Sequence, residues 1–188
     1  VSQLQPGQSL ALQLLGESLL LSRERDGVVR CFRNRCPHRG VELLPADGAA
    51  LACRKLVCPY HGWTYNLEGE LLAAAREDGF VAALSRADWP LEALPAQQDG
   101  PLIWVALADS PIPLAQQLQL IHEQAGGQWQ APLQQQASSS LSLQCNWKVA
   151  HDNTLDDYHV AIAHPTTLHR EQGPVRDYRH LITGLGNA

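Results

Sequence analysis

Two short segments constrain this chain more than any other feature. Cys36-Pro37-His38-Arg39-Gly40 and Cys58-Pro59-Tyr60-His61-Gly62-Trp63 each hold a cysteine, a proline directly after it, a histidine and a glycine. Nineteen residues, 39 to 57, separate His38 from Cys58. Cys-X-His and Cys-X-X-His are metal-ligand spacings on two loops. Each proline fixes φ and removes a backbone donor, which stiffens the turn. Each glycine permits a backbone conformation or a close approach that other residues resist. Two cysteines and two histidines could hold zinc tetrahedrally. They could equally hold a [2Fe–2S] cluster, with thiolates on one iron and imidazoles on the other.

The other cysteines do not compete strongly with this reading. Five cysteines is an odd number, and the chain shows no secretory signal, so a disulfide scaffold fits poorly. Cys31 and Cys53 lie five residues before Cys36 and Cys58. A zinc site of all four is conceivable, but a small apolar residue on a strand is the favoured role for each.

Composition sets outer bounds. With 188 residues, 45% hydrophobic and 18% charged, the chain can bury a core as one ordinary domain or two small ones. A net charge of −5 disfavours a nucleic-acid or polybasic membrane binder. No apolar run reaches the roughly 18 residues that span a bilayer, and no signal peptide is legible, so no membrane role and a cytoplasmic location are expected. The chain opens on Val1 and contains no methionine, so a portion of a longer or trimmed protein is expected.

Residues 1–108 read as many short strands, the signature of a small all-β sandwich or barrel. Leu10–Leu15, Ser18–Ser22 and Val28–Phe32 are apolar or alternating, with a hairpin turn at Arg25-Asp26-Gly27. A hairpin is expected between Val41 and Val57, and another pairing Leu91–Pro95 with Leu102–Leu107. From Pro111 the composition shifts. Nine glutamines fall between Gln116 and Gln136, read as an exposed helix near Leu114–Gln124 followed by a loop. Leu141–Gln144 alternates like a strand, and Trp147–Ala163 reads as a helix capped by Asn146.

The first constellation resembles the two cluster loops of Rieske proteins: two loops, both prolines, both glycines, and an aromatic after the second glycine. The resemblance implies Cys36 and Cys58 on one iron and His38 and His61 on the other. Rieske subunits of cytochrome complexes usually carry an extra cysteine in each loop. Residues 37–40 and 59–63 have none, which points to the oxygenase or soluble-ferredoxin branch. Tyr60 and Trp63 are candidates to tune the cluster, Trp63 equally a core residue. Arg30, Arg33, Arg35, Arg39, Arg54 and Lys55, opposed nearby only by Glu42 and Asp47, form a candidate docking face for an acidic donor or a neighbouring subunit. A merely solvated face fits them as well.

The second constellation runs Asn146-Trp147-Lys148, Asp152-Asn153, Asp156, Tyr158-His159 and His164-Pro165. Asp156 and His159 are i,i+3 on a helix face. His159 and His164 are five apart, about 140° around an ideal helix. They can converge only if the helix ends, and Pro165 disfavours α conformation at His164. Two histidines then suit part of a 2-His-1-carboxylate iron site. This segment resembles the start of the catalytic domain of Rieske non-haem iron oxygenase α subunits.

That resemblance implies an all-β Rieske [2Fe–2S] domain at 1–110, then a linker and the incomplete start of an α+β, helix-grip type catalytic domain at 111–188. It implies His159 and His164 as ligands of a mononuclear Fe(II), and Asp156 as a bridge from His159 to a cluster histidine of the next subunit. Asn153 is a weaker candidate near the iron. The third ligand is expected beyond residue 188, and Asp177 falls too soon. The implied activity is hydroxylation or demethylation of a small organic substrate with O2. Electrons would come from NAD(P)H through a reductase or ferredoxin, in a homotrimer or other α3-containing oligomer. The rival reading is a Rieske-type electron-transfer ferredoxin, which has no need of Asp156, His159 and His164.

Overall fold

The computed structural model describes residues 4–109, 112–133, 136–179, 181–183 and 186–187. Pro111 and His180 lie outside them. The chain divides into two compact units. One holds residues 1–116 and 125–134, the other residues 117–124 and 135–188.

The first unit is built on antiparallel strands: β1 (Gln8–Leu14), β2 (Glu17–Arg23), β3 (Val29–Arg33), β4 (Leu51–Ala52), β5 (Leu56–Val57), β6 (Thr64–Tyr65), β7 (Leu71–Ala73), β8 (Ala93–Leu94), β9 (Ala96–Asp99) and β10 (Leu102–Val105). They form a five-stranded sheet in the order β4-β1-β2-β3-β8, a three-stranded sheet β5-β6-β7, and the hairpin β9–β10. The apolar run Leu19-Leu20-Leu21 is continuous because the larger sheet is covered on both faces. Successive side chains alternate sides. Leu20 and its cross-strand partner Phe32 join Cys36, Cys58, Trp63 and Tyr65 in one core cluster. Leu19, Leu21 and Cys31 pack with Leu4 and Leu10 in another. Cys31 is therefore a buried strand residue in a different cluster from Cys36, and burial pushes its thiol up to about 11.

Two expected pairings are corrected. Val41–Val57 is not a hairpin: β4 pairs with β1, and β5 pairs with β6. Leu91–Pro95 does not pair with Leu102–Leu107. Instead β8 pairs with β3, and β9 supplies the partner of β10. In both cases the turn signals were real but local, whereas strand partners are chosen by which faces must be buried.

The turn at Leu67-Glu68-Gly69 connects β6 and β7. Gly69 has φ +89, and a Cβ there would sit 2.4 Å from Phe32 Cε1. Gly69→Ala combines left-handed strain with overpacking of a buried aromatic. It is expected to destabilise the unit by about 2–4 kcal/mol in denaturant unfolding.

The basic segment is largely neutralised by carboxylates distant in sequence. Arg33 bonds Glu17 and Glu92, Arg35 bonds Glu92, and Arg30 lies 3.6 Å from Glu68. That leaves Arg39, Arg54 and Lys55 against Glu42 and Asp47 in the same stretch.

The expected helix at Leu114–Gln124 is divided into α1 (Leu114–Gln117) and α2 (Gln119–Ala125). In the second unit Leu141–Gln144 is not a strand, and the long helix is broken. It becomes α3 (Trp147–Leu155) and a one-turn α4 (Val160–Ala163), followed by α5 (Leu168–Gln172). Ile182–Thr183 pairs antiparallel with Gly186–Asn187. Among the described residues no helix is long and apolar enough to cross a membrane.

Candidate cluster and iron sites

The two Cys-Pro loops share one backbone plan. Cys36 N–H donates to Val41 O and Gly40 N–H to Cys36 O, both at 2.8 Å. Cys58 N–H donates to Trp63 O at 2.8 Å and Gly62 N–H to Cys58 O at 3.0 Å. The offsets, five and four residues, are identical. Closing each loop this way places its glycine in the left-handed region, at φ +73 for Gly40 and +70 for Gly62, which explains the residue type.

The loops bring the four expected cluster ligands together with thiols inward and imidazoles outward. Cys36 and Cys58 are buried, His38 is half-buried and His61 exposed. The His38 and His61 ring centroids are 4.7 Å apart. The Cys36 thiol is pushed up chiefly by burial. The Tyr65 hydroxyl and the His38 backbone oppose that rise, and the nearby Cys58 thiol adds to it. Burial, His61 and Arg39 all favour the neutral His38 ring, the form a metal requires. His38 Nδ1 is buried without a hydrogen-bond partner. A buried imidazole nitrogen left unpaired is costly, and a bound metal would satisfy it.

Among the described residues no three His, Cys, Asp or Glu side chains form a group able to hold a single metal ion. A two-iron cluster asks for two protein ligands per iron, the remainder being sulfide. The donor set fits that group.

Aromatic rings enclose this constellation. Trp63, 2% exposed, stacks on the His38 ring at 4.8 Å and 6°, and meets Trp89 edge-on at 5.3 Å. Trp63 is thus both a core residue and a wall of the site. The exposed Tyr60 ring lies 3.8 Å from His61. Tyr65 went unnoticed in the sequence. It is fully buried, and its hydroxyl lies 3.5 Å from Cys36 Sγ. The signal was present: Tyr65 stands two residues after Trp63, and both are buried in the same core cluster. A hydroxyl bonded to a ligand sulfur stabilises negative charge there and raises a cluster's potential.

In the second unit, Asn146 caps α3 by accepting the Lys148 N–H at 3.0 Å. The helix stops at Asp156, which is extended at φ −82 and ψ 107. Its Oδ1 accepts the Tyr158 N–H at 2.9 Å, an Asx turn, and its Oδ2 lies 3.0 Å from His159 Nδ1. The i,i+3 contact is therefore made by a turn and not by a helix face. The chain restarts as α4, whose single turn ends at His164, as Pro165 foretold. His159 and His164 flank that turn with ring centroids 5.4 Å apart. Both line a cavity of about 710 Å³ together with Asn153, Asp156 and Tyr178. Asp177 does not line it.

Comparison with known proteins finds two matched segments. Residues 1–84 match the Rieske [2Fe-2S] domain, and residues 129–183 match the ring hydroxylating alpha subunit catalytic domain. Residues 1–84, which lie in the first unit, are thus a Rieske iron–sulfur domain. The chain as a whole belongs with the Rieske oxygenase α subunits: a mostly β Rieske domain and a partial, helical catalytic region.

It is 31% identical to the carnitine monooxygenase oxygenase subunit of Acinetobacter pittii, covering 86% of this chain and 43% of that protein. It is 31% identical to the glycine betaine monooxygenase oxygenase subunit of Pseudomonas aeruginosa, covering 86% of this chain and 37% of that protein. The chain spans less than half the length of these relatives. A crystal structure of a quaternary ammonium Rieske monooxygenase superposes with a TM-score of 0.81 at 29% identity, over 97% of this chain and 50% of that one. Naphthalene 1,2-dioxygenase shares the fold at a TM-score of 0.76 and 24% identity, over 92% of this chain and 40% of that one.

Proposed function

We propose that residues 1–110 form the electron-accepting Rieske domain, and 111–188 the start of the catalytic domain, of the oxygenase component in a multicomponent monooxygenase. When bound, a [2Fe–2S] cluster relays single electrons, and a mononuclear Fe(II) activates O2 for hydroxylation or demethylation. The chain's own residues hold and orient these groups. Cys36 and Cys58 supply thiolates, and His38 and His61 supply imidazoles. The observation that carries the reading is His38 Nδ1, buried and unpaired among two thiols and a second imidazole.

His159 and His164 are the proposed iron ligands present here. Asp156 holds the His159 ring through Nδ1, which fixes its tautomer and leaves Nε2 for a metal. The Asp156 side chain is half exposed, so a cluster histidine of a neighbouring subunit can reach its remaining lone pairs. We propose on this basis an oligomeric, trimeric arrangement, with a reductase or ferredoxin as donor. Small quaternary amines are the proposed substrate class, because the named relatives act on carnitine and glycine betaine. A ferredoxin would have no use for the second constellation.

Metal and sulfide analysis of the purified chain, with EPR after dithionite reduction, tests the cluster. The expected result is iron with acid-labile sulfide and a Rieske-type signal. One sulfide-free zinc per chain would sink the reading.

A further inference from the structure

The two cluster loops are alike within, yet their necks are closed by different means. The second loop leaves β5 and returns as β6, and two strand pairs, Leu56 with Tyr65 and Val57 with Thr64, hold its ends together. The first loop leaves β3 at Arg33, but the returning residues 41–46 form no strand. No ladder joins its ends.

Asn34 stands where that ladder is missing. It lies two residues before Cys36 and is 1% exposed. Its Oδ1 accepts the N–H groups of Leu43 and Leu44 at 3.1 and 3.2 Å. Its Nδ2 donates to Leu44 O at 2.7 Å and to Ser18 Oγ at 3.1 Å. All four hydrogen-bonding positions of the amide are used. Its own N–H donates to Ser18 O at 2.9 Å, anchoring the neck to β2. A side-chain amide is chemically a peptide group, so one buried asparagine replaces the backbone pairs that close the other loop. Leu43, gripped by that amide, packs in the same core cluster as Cys36 and Cys58.

We propose that Asn34 is a positioning residue for the cluster. Its amide closes the neck of the first loop and sets the placement of Cys36 and His38 against Cys58 and His61. Ser18 is the accessory partner that orients the amide. This rests on the cluster reading above.

The test compares the unmodified chain with Asn34→Leu, which is near-isosteric and makes no hydrogen bonds, and with Asn34→Asp. The aspartate keeps both acceptances and loses both donations. The measurements are the rate of iron release to a chelator, the EPR g-values and the midpoint potential of the loaded fraction, with circular dichroism to report folding. Both variants are expected to release iron about tenfold or more faster, with shifted g-values and potential. Ser18→Ala, which removes one bond of four, should show a smaller change in the same direction.

A variant that only melts at lower temperature, while its release rate, g-values and potential match the unmodified chain, overturns the proposal. If Asn34→Leu does not fold, Asn34→Asp and Ser18→Ala decide on the same readouts. Absence of a Rieske signal in the unmodified chain is a different failure, that of the cluster reading itself.

Discussion

In a subunit that includes the rest of the catalytic domain, Asp156→Asn is expected to slow product formation by about 10- to 100-fold while the cluster stays reducible. The carboxylate is the hydrogen-bond partner of His159 Nδ1 at 3.0 Å. An amide keeps the shape of the side chain and can still accept from the Tyr158 N–H. What it loses is the negative charge that steadies an imidazole carrying metal on its other nitrogen. It can also present an NH2 group to that ring, which favours the wrong tautomer or turns the ring away. Stopped-flow reduction of the cluster and product formation, measured on the same preparation, separate the two effects. Normal turnover would refute the positioning and bridging roles together.

The second large effect is expected at Cys58. Cys58→Ala should remove the Rieske EPR signal and most of the iron and sulfide, because the thiolate is one of only two protein ligands proposed for its iron. The fold should survive better than the cluster. Cys58 N–H and O carry the loop's backbone bonds to Trp63 and Gly62, and alanine retains both. Deleting the buried sulfur is a small cavity by the standard of large core truncations. Circular dichroism with iron analysis makes the check: a folded variant retaining full cluster would remove Cys58 from the ligand set.

Much of the first site was legible because its chemistry is written in local spacing. Cysteine, proline, histidine and glycine must fall at set offsets for a five-residue loop to close and aim its donors, and that requirement is visible without a fold. Tyr65 and Asn34 were not legible in the same way. Each acts by a contact whose partner is distant in sequence, Cys36 for the one and Ser18 with Leu43 and Leu44 for the other. The charge balance of the basic segment was hidden for the same reason. Its charges are balanced by Glu17, Glu68 and Glu92, and none of these lies within the window where the excess was counted.

The second site shows a finer division. The sequence pointed to a helix end at His164, because proline disfavours α conformation in the preceding residue. It did not show that the helix had already ended at Leu155. Both the aspartate's two bonds and the one-turn restart of α4 come from an Asx turn that competes with helix continuation. By itself, then, the sequence determined the donor types, their order and the turns that present them, since these depend on spacing and backbone sterics. Only the tertiary structure decided which strands pair, which charges are neutralised and which polar side chains brace the loops. Those choices follow from burying two sheet faces at once, and no local window of the chain contains that information.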